Sequence, residues 1–200
     1  MKIPFIDSAK IYLENRQEYL DTFDRICSEG AFTLGDRSTD IYELEKWFAE
    51  FIGVKHAILV GSGTHALKLS YKALGIGAGD EVITTGHTFS STFDQIVAVG
   101  ATPVLVDIDP ETGLIDPALI TQAITPKTKA IVPVHLEGKV CDVRKLKKFG
   151  LPIVEDAAQA IGGRYPTKML SGDADGVWDA PEHWDRAGGI GDLGCFSLYW

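Results

Sequence analysis

Between residues 57 and 154, short apolar runs alternate with amphipathic stretches, and this alternation restricts the chain to one architecture. Ala57-Ile58-Leu59-Val60, Glu81-Val82-Ile83-Thr84, Pro103-Val104-Leu105-Val106-Asp107, Ala130-Ile131-Val132-Pro133-Val134 and Ile153-Val154 read as strands. Helical patterns fill the gaps, from Thr64 to Leu74, Ser91 to Val99, Pro117 to Ile124 and Val143 to Phe149. Mostly apolar strands separated by amphipathic helices predict a parallel sheet covered on both faces. Right-handed crossovers then collect the C-terminal ends of the strands on one edge, where open sheets of this kind bind ligands. The predicted fold class is α/β, a mostly parallel sheet flanked by helices.

The flanking regions differ. Tyr12, Tyr19, Leu20, Phe23 and Ile26 recur at helical spacing, and Gly30 follows as a stop. Phe32-Thr33-Leu34-Gly35 is a turn-rich connector, and a second helix from about Thr39 to Phe51 carries Ile41, Leu44, Trp47, Phe48 and Phe51 on one stripe. The expected division is a helical segment over 1–55 and a large domain over 56–200. After Arg164 the alternation breaks. Tyr165 to Ile190 is rich in Gly, Asp and Pro, with Trp178 and Trp184 among them. Irregular segments longer than ~12–15 residues are uncommon and usually functional or mobile, so 166–190 is read as an insert. Gly194-Cys195-Phe196-Ser197-Leu198-Tyr199-Trp200 reads as one more strand.

Several function classes are excluded. A net charge of -9 opposes general nucleic-acid binding, which needs clustered Lys and Arg. Lys145, Lys147 and Lys148 form only a local run, read as a solvated helix face. Cys27, Cys141 and Cys195 lie far apart with no CxxC spacing, as expected of reduced thiols in a cytoplasmic protein. The opening Met1-Lys2-Ile3-Pro4-Phe5 has no run of signal-peptide length, and no stretch approaches the ~20 apolar residues of a membrane span. His87, His135 and Glu137 do not form a diagnostic ligand spacing, and no metal site is predicted.

Two places on the ligand edge carry chemistry. A strand end runs through Gly61-Ser62-Gly63-Thr64 into a helix, where glycines admit an anion and backbone amides at Thr64 and His65 face it. The plainer reading is a strand–helix turn with a Ser/Thr cap. Gly61-x-Gly63-x-x-Ala66 also fits a dinucleotide pattern, with Asp80-Glu81 roughly twenty residues on. Those acids, however, open the second strand, at the edge opposite the ligand. A P-loop is excluded because no Lys follows the glycines at the required position. Elsewhere Phe89 stands just past a strand end, able to stack on a flat ring or to pack beneath the next helix. Asp156 ends the run Pro152-Ile153-Val154-Glu155, where an unpaired charge is costly. A proton held on a heteroaromatic nitrogen would compensate one of these two acids; a helix cap is the alternative. Gln159 lies one helical turn further, and Ser197 is either a phosphate contact or a plain strand residue.

Taken in order, these motifs resemble the DegT/DnrJ/EryC1/StrS family of sugar aminotransferases. The likeness runs through Ile3-Pro4-Phe5-Ile6-Asp7, Gly53-Val54-Lys55-His56-Ala57, Gly61-Ser62-Gly63-Thr64-His65-Ala66-Leu67 and Gly79-Asp80-Glu81-Val82-Ile83. It continues in Thr88-Phe89, Gly100-Ala101-Thr102-Pro103-Val104, Asp107-Ile108-Asp109, Pro133-Val134-His135-Leu136-Glu137-Gly138, Glu155-Asp156-Ala157-Ala158-Gln159-Ala160 and Gly194-Cys195-Phe196-Ser197. The resemblance implies the large domain of a fold-type-I pyridoxal 5'-phosphate enzyme, the aspartate aminotransferase fold, without its C-terminal small domain. It implies that amides around Gly63, Thr64 and His65 and the Ser197 hydroxyl hold the phosphate, that Phe89 stacks on the ring, that Asp156 pairs with the ring nitrogen, and that Gln159 lies by the ring oxygen. Glutamate and a nucleotide-linked keto sugar are the implied substrates, in a homodimer with sites at the interface.

The family's Schiff-base lysine is expected beyond Trp200. Lys168, in the irregular segment, does not match it, so no catalytic lysine is expected in these residues and they are expected to be inactive alone. Two alternatives stay open: a lysine-free sugar dehydratase of the same family with His in that place, and an NAD-binding sugar-modifying domain.

Overall fold

A computed structural model describes residues 7–30, 39–166 and 184–199. Ile3 to Ile6, the connector Phe32-Thr33-Leu34-Gly35, Lys168 and Trp178 lie outside the described residues. The chain divides into two units, 1–46 and 47–200.

The first unit holds α1 (Ser8–Glu14) and α2 (Arg16–Glu29), and the helix α3 (Thr39–Ile52) begins in it. Asp7 caps α1 by accepting the Lys10 amide, and α2 ends on Gly30, whose φ of 65° suits glycine. Neither α1 nor α2 buries a residue; Tyr12 and Tyr19 stack on each other with centroids 5.9 Å apart.

The second unit is built as the alternation predicts. In chain order it contains α4 (Gly63–Ala73), β1 (Glu81–Thr85), α5 (Ser91–Ala98), β2 (Thr102–Val106), α6 (Pro117–Ala123), β3 (Thr128–Ile131), α7 (Val143–Lys147) and β4 (Val154–Asp156). After these come β5 (Arg164–Pro166), β6 (Trp184–Arg186) and β7 (Leu193–Cys195). Caps fix the helix starts. Ser62 accepts the His65 amide ahead of α4, and Asp116 accepts the Ala118 amide with Pro117 at the first turn of α6.

Strands β2, β1 and β3 pair in that order, all parallel. Parallel bridges Ile131↔Ile153 and Val134↔Asp156 carry the pairing to β4, and β4 pairs in parallel with β7. Two apolar clusters cover the two faces. One gathers Ile83, Ile131 and Ile153 of the sheet with Ile120, Val143 and Leu146 of α6 and α7. The other gathers Val82, Ala130, Val132 and Val154 with Leu67 and Tyr71 of α4 and Ile96 of α5. Each of these side chains removes apolar surface from water at about 25 cal/mol per Å².

Two expectations are corrected. Ala57-Ile58-Leu59-Val60 is not a strand: it joins no ladder among the described residues, and Ile58 is 80% exposed. An apolar run becomes a strand only where a neighbouring strand takes up its backbone groups. The segment 166–190 is not irregular throughout either. Its ends form an antiparallel pair, β5 with β6, in the register Arg164↔Arg186, Tyr165↔Asp185 and Pro166↔Trp184. Arg144 of α7 donates to Asp185, and its guanidinium lies over the Tyr165 ring, which ties the pair to α7.

Candidate active site

Adjacent residues of a strand point to opposite faces, and β4 presents Glu155 to one side and Asp156 to the other. Their surroundings differ completely. Glu155 is fully buried. Its Oε2 accepts from His135 Nε2 at 2.7 Å and from the Gly188 amide at 2.9 Å. Its Oε1 accepts from the amides of Ile190 at 2.7 Å and Gly191 at 2.5 Å. The Cys141 amide donates to His135 Nδ1 at 3.0 Å, which leaves the ring proton on Nε2 and fixes the direction of the His135–Glu155 bond. Burial opposes the charge on Glu155, but the His135 N–H and the Gly191 and Gly188 amides outweigh it and hold this carboxyl below its ordinary range.

Asp156 is 5% exposed and has fewer donors. Thr92 Oγ1 donates to its Oδ2 at 2.7 Å, and the Ala158 amide donates to its Oδ1 at 3.2 Å. Burial pushes its pKa above the usual carboxylate range, and the Thr92 and Ala158 donors offset this only in part. Of the two acids, Glu155 is compensated by the protein itself. Asp156 is the one that a cation arriving at the strand edge would relieve.

The other predicted residues gather near the same strand ends. Gly63 opens α4, and a Cβ built on it would lie 3.1 Å from the Phe196 carbonyl oxygen and 3.1 Å from Ser197 Cβ. That approach sets Ser197 against a helix start and leaves little room for a side chain there. Thr64 Oγ1 and Ser91 Oγ are 2.9 Å apart, joining the starts of α4 and α5. The His65 amide donates to the Ser62 hydroxyl at 3.1 Å. The outward amides of this helix start are those of Gly63 and Thr64. Phe89, just ahead of α5, leaves 70% of its surface in solvent. Gln159 accepts the Glu137 amide on Oε1 at 3.1 Å, which leaves its Nε2 as a donor. Glu137, with φ of 55°, is followed by Gly138 at 79°, a left-handed turn that brings this amide round to Gln159.

The rival readings of the same residues separate on geometry. Asp80 and Glu81 stand at the N-terminal end of β1, where Asp80 accepts the Gly77 amide and Glu81 accepts from Thr125 Oγ1. Neither can reach a ribose at the opposite edge. His135 is committed to Glu155 and Cys141, and His87 Nδ1 lies 3.0 Å from the Gly113 carbonyl. Among the described residues no group of three His, Cys, Asp or Glu side chains could hold a metal ion. No described helix is long and apolar enough to cross a membrane.

Sequence reasoning missed Thr92 and Thr88. Thr88 Oγ1 and Thr92 Oγ1 lie 2.7 Å apart, one turn along, and Thr92 is fully buried against Asp156. The i, i+4 spacing of two threonines beside Phe89 was the available signal.

The chain matches the model of the DegT/DnrJ/EryC1/StrS aminotransferase family over residues 14–200. It is 43% identical over 175 residues to the UDP-2-acetamido-2-deoxy-3-oxo-D-glucuronate aminotransferase of Pseudomonas aeruginosa, covering 83% of this chain and 46% of that protein. It is 42% identical over 163 residues to the GDP-perosamine synthase of Caulobacter vibrioides, covering 80% of this chain and 39% of that one. Among solved structures, a DegT DnrJ EryC1 StrS aminotransferase from Brucella abortus superposes with a TM-score of 0.82 at 29% identity, covering 99% of this chain and 51% of that chain. NtdA from Bacillus subtilis, solved with the bound cofactor PMP, superposes with a TM-score of 0.75 at 36% identity, covering 80% and 38%. The chain spans about half the length, or less, of the curated relatives it matches.

Proposed function

Because this chain belongs to the DegT/DnrJ/EryC1/StrS aminotransferase family and has the large-domain fold of its pyridoxal-phosphate-dependent members, we propose that it forms the cofactor platform of a sugar aminotransferase. The whole protein, in this reading, moves an amino group from glutamate to the keto carbon of a nucleotide-linked sugar, with pyridoxal 5'-phosphate. It works in the cytoplasm as a homodimer. The observation that carries the reading is Asp156: a buried carboxyl in no ion pair among the described residues, held above its usual range by burial, at the C-terminal end of β4.

The residues fit that cofactor in kind. Gly63 and Thr64 amides, a helix start and the Ser197 hydroxyl suit a phosphate dianion. Phe89 offers a ring face, and Gln159 Nε2 a donor for a ring oxygen. Asp156 would hold a proton on the ring nitrogen and orient the ring. Its burial strengthens that pairing, because little water competes for either charge. The cofactor, when bound, supplies an electron sink and an amino-group carrier. Glu155 takes no part in the chemistry, since its four donors are already in place.

The test uses the product of the complete gene. Adding pyridoxal phosphate should give a bound absorbance band, and glutamate should discharge it in a half-reaction. Asp156→Asn should keep the fold and lose most of that half-reaction, because Asn cannot hold the ring proton as a carboxylate does. Undiminished half-reaction in this variant, or no binding of pyridoxal phosphate to the parent protein, overturns the proposal.

A further inference from the structure

We propose that Thr92, backed by Thr88, is a positioning residue: it pins one oxygen of Asp156 and thereby decides where the ring proton of the cofactor resides. This rests on the cofactor reading above and adds a residue to it.

Geometry and the ionisation state of Asp156 together set the direction of every hydrogen bond in this group. Thr92 Oγ1 has a single proton and lies 2.7 Å from Asp156 Oδ2, 3.1 Å from the Phe89 carbonyl and 2.7 Å from Thr88 Oγ1. A hydroxyl gives its proton to the acceptor with the largest negative charge. With Asp156 ionised, that acceptor is Oδ2. Thr88 must then donate to Thr92, because the proton of Thr92 is already used. The order is Thr88 to Thr92 to Asp156, a polarised chain that makes the last bond stronger. The support is rigid. Thr92 is fully buried, and its own carbonyl accepts the Tyr71 hydroxyl at 3.0 Å. Tyr71 is itself fully buried in α4.

The same heavy atoms admit a second arrangement. With Asp156 protonated, its hydroxyl donates to Thr92, and Thr92 turns its proton to the Phe89 carbonyl at 3.1 Å. No heavy atom has to move. The same atoms therefore serve either protonation state of Asp156, and a proton carried there would pass to the nitrogen of an unprotonated ring. Once it is ionised, the Thr92 donor makes the carboxylate a weaker base and keeps the shared proton on the ring nitrogen. Without that donor the proton moves toward Asp156, and the ring loses positive charge. The Phe89 carbonyl also belongs to the residue expected beneath the ring, so the stacking residue and the acid share one hydroxyl.

The experiment uses the complete gene product and pyridoxamine 5'-phosphate labelled with ¹⁵N in the ring. Its binding needs no covalent bond. The ¹⁵N shift at fixed neutral pH reports ring protonation, and a titration reports affinity. The parent protein should show a protonated ring nitrogen. Thr92→Val, of the same shape, should move the shift toward the unprotonated value and weaken binding by about tenfold or more, the effect of losing a hydrogen bond to a charged group. Thr92→Ser should restore both. Thr88→Val should give a smaller shift in the same direction, and it carries the test if Thr92→Val fails to fold. An unchanged ¹⁵N shift in a folded Thr92→Val protein, or in Thr88→Val where it stands in, overturns the role of Thr92. If the parent protein does not bind pyridoxamine phosphate, the cofactor reading fails instead, and the two failures are distinct.

Discussion

Replacing Glu155 by glutamine changes one atom, and the structure predicts a large loss. Every partner of Glu155 is a donor: the amides of Gly188, Ile190 and Gly191 and the Nε2–H of His135. A glutamine amide puts an NH₂ where one oxygen stood. In either orientation that NH₂ faces two of these donors. His135 cannot relieve the conflict by moving its proton to Nδ1, because the Cys141 amide points there. Two buried donors are left unsatisfied at about 1–3 kcal/mol each, or about 2–6 kcal/mol together. That is a large share of a typical stability of about 5–15 kcal/mol.

The local readout is hydrogen exchange in the complete protein. Protection at Gly188, Ile190 and Gly191 should fall by between about 30-fold and about 20,000-fold, since about 1.4 kcal/mol is tenfold. The acid side supplies a sign check. A carboxyl held below its unfolded value of about 4.3 contributes stability above that pH and loses it as pH falls through the lower folded value. The difference in stability between the parent protein and the Glu155→Gln variant should therefore be constant near neutrality and shrink only in strong acid. A loss below about 1 kcal/mol with unchanged protection would refute the four-donor account.

Other expectations follow from the same geometry. Asp156 has the opposite sign: its raised value means that stability of the cofactor-free protein is lost as pH rises, and Asp156→Asn should flatten that dependence in a denaturation series. Gly63→Ala should weaken affinity for pyridoxamine phosphate at least tenfold, by about 1.4 kcal/mol or more, because its Cβ meets the Phe196 carbonyl and Ser197 at 3.1 Å; unchanged affinity in a calorimetric titration would remove Gly63 from the cradle. Peptide mapping after brief thiol alkylation at about pH 8 should find Cys27 labelled and Cys141 and Cys195 protected, since Cys27 is exposed and burial pushes the other two thiols up to about 12.

Much of the architecture was legible because hydrophobic period and capping agree along the chain. The Ser/Thr cap and periodic run from Thr64 to Leu74 announced α4, the run from Pro117 to Ile124 announced α6, and the apolar runs of β1 and β2 announced strands. Legibility failed where a structure depends on a distant partner. The run 57–60 has strand composition but no ladder among the described residues, and composition cannot report that. The β5–β6 pair was invisible because Arg164–Pro166 and Trp184–Arg186 are short and far apart in sequence. At the site, Asp156 was legible from its place at a strand end. What was not legible was which of two neighbouring acids lacks a counter-charge. Donors from 188–191 answer that question, and no local pattern reveals them.

The alternation of Glu155 and Asp156 on β4 also makes the protein sensitive to small insertions and deletions. A slip of one residue in the pairing of β4 would exchange the faces of the two acids, taking Asp156 off the Thr92 side and Glu155 off the His135 side. The bridges Ile131↔Ile153 and Val134↔Asp156 and the β4–β7 register guard against that exchange. Adding or removing one residue between Gly150 and Pro152 should therefore be tolerated only if the turn absorbs it and leaves the alignment of β4 unchanged.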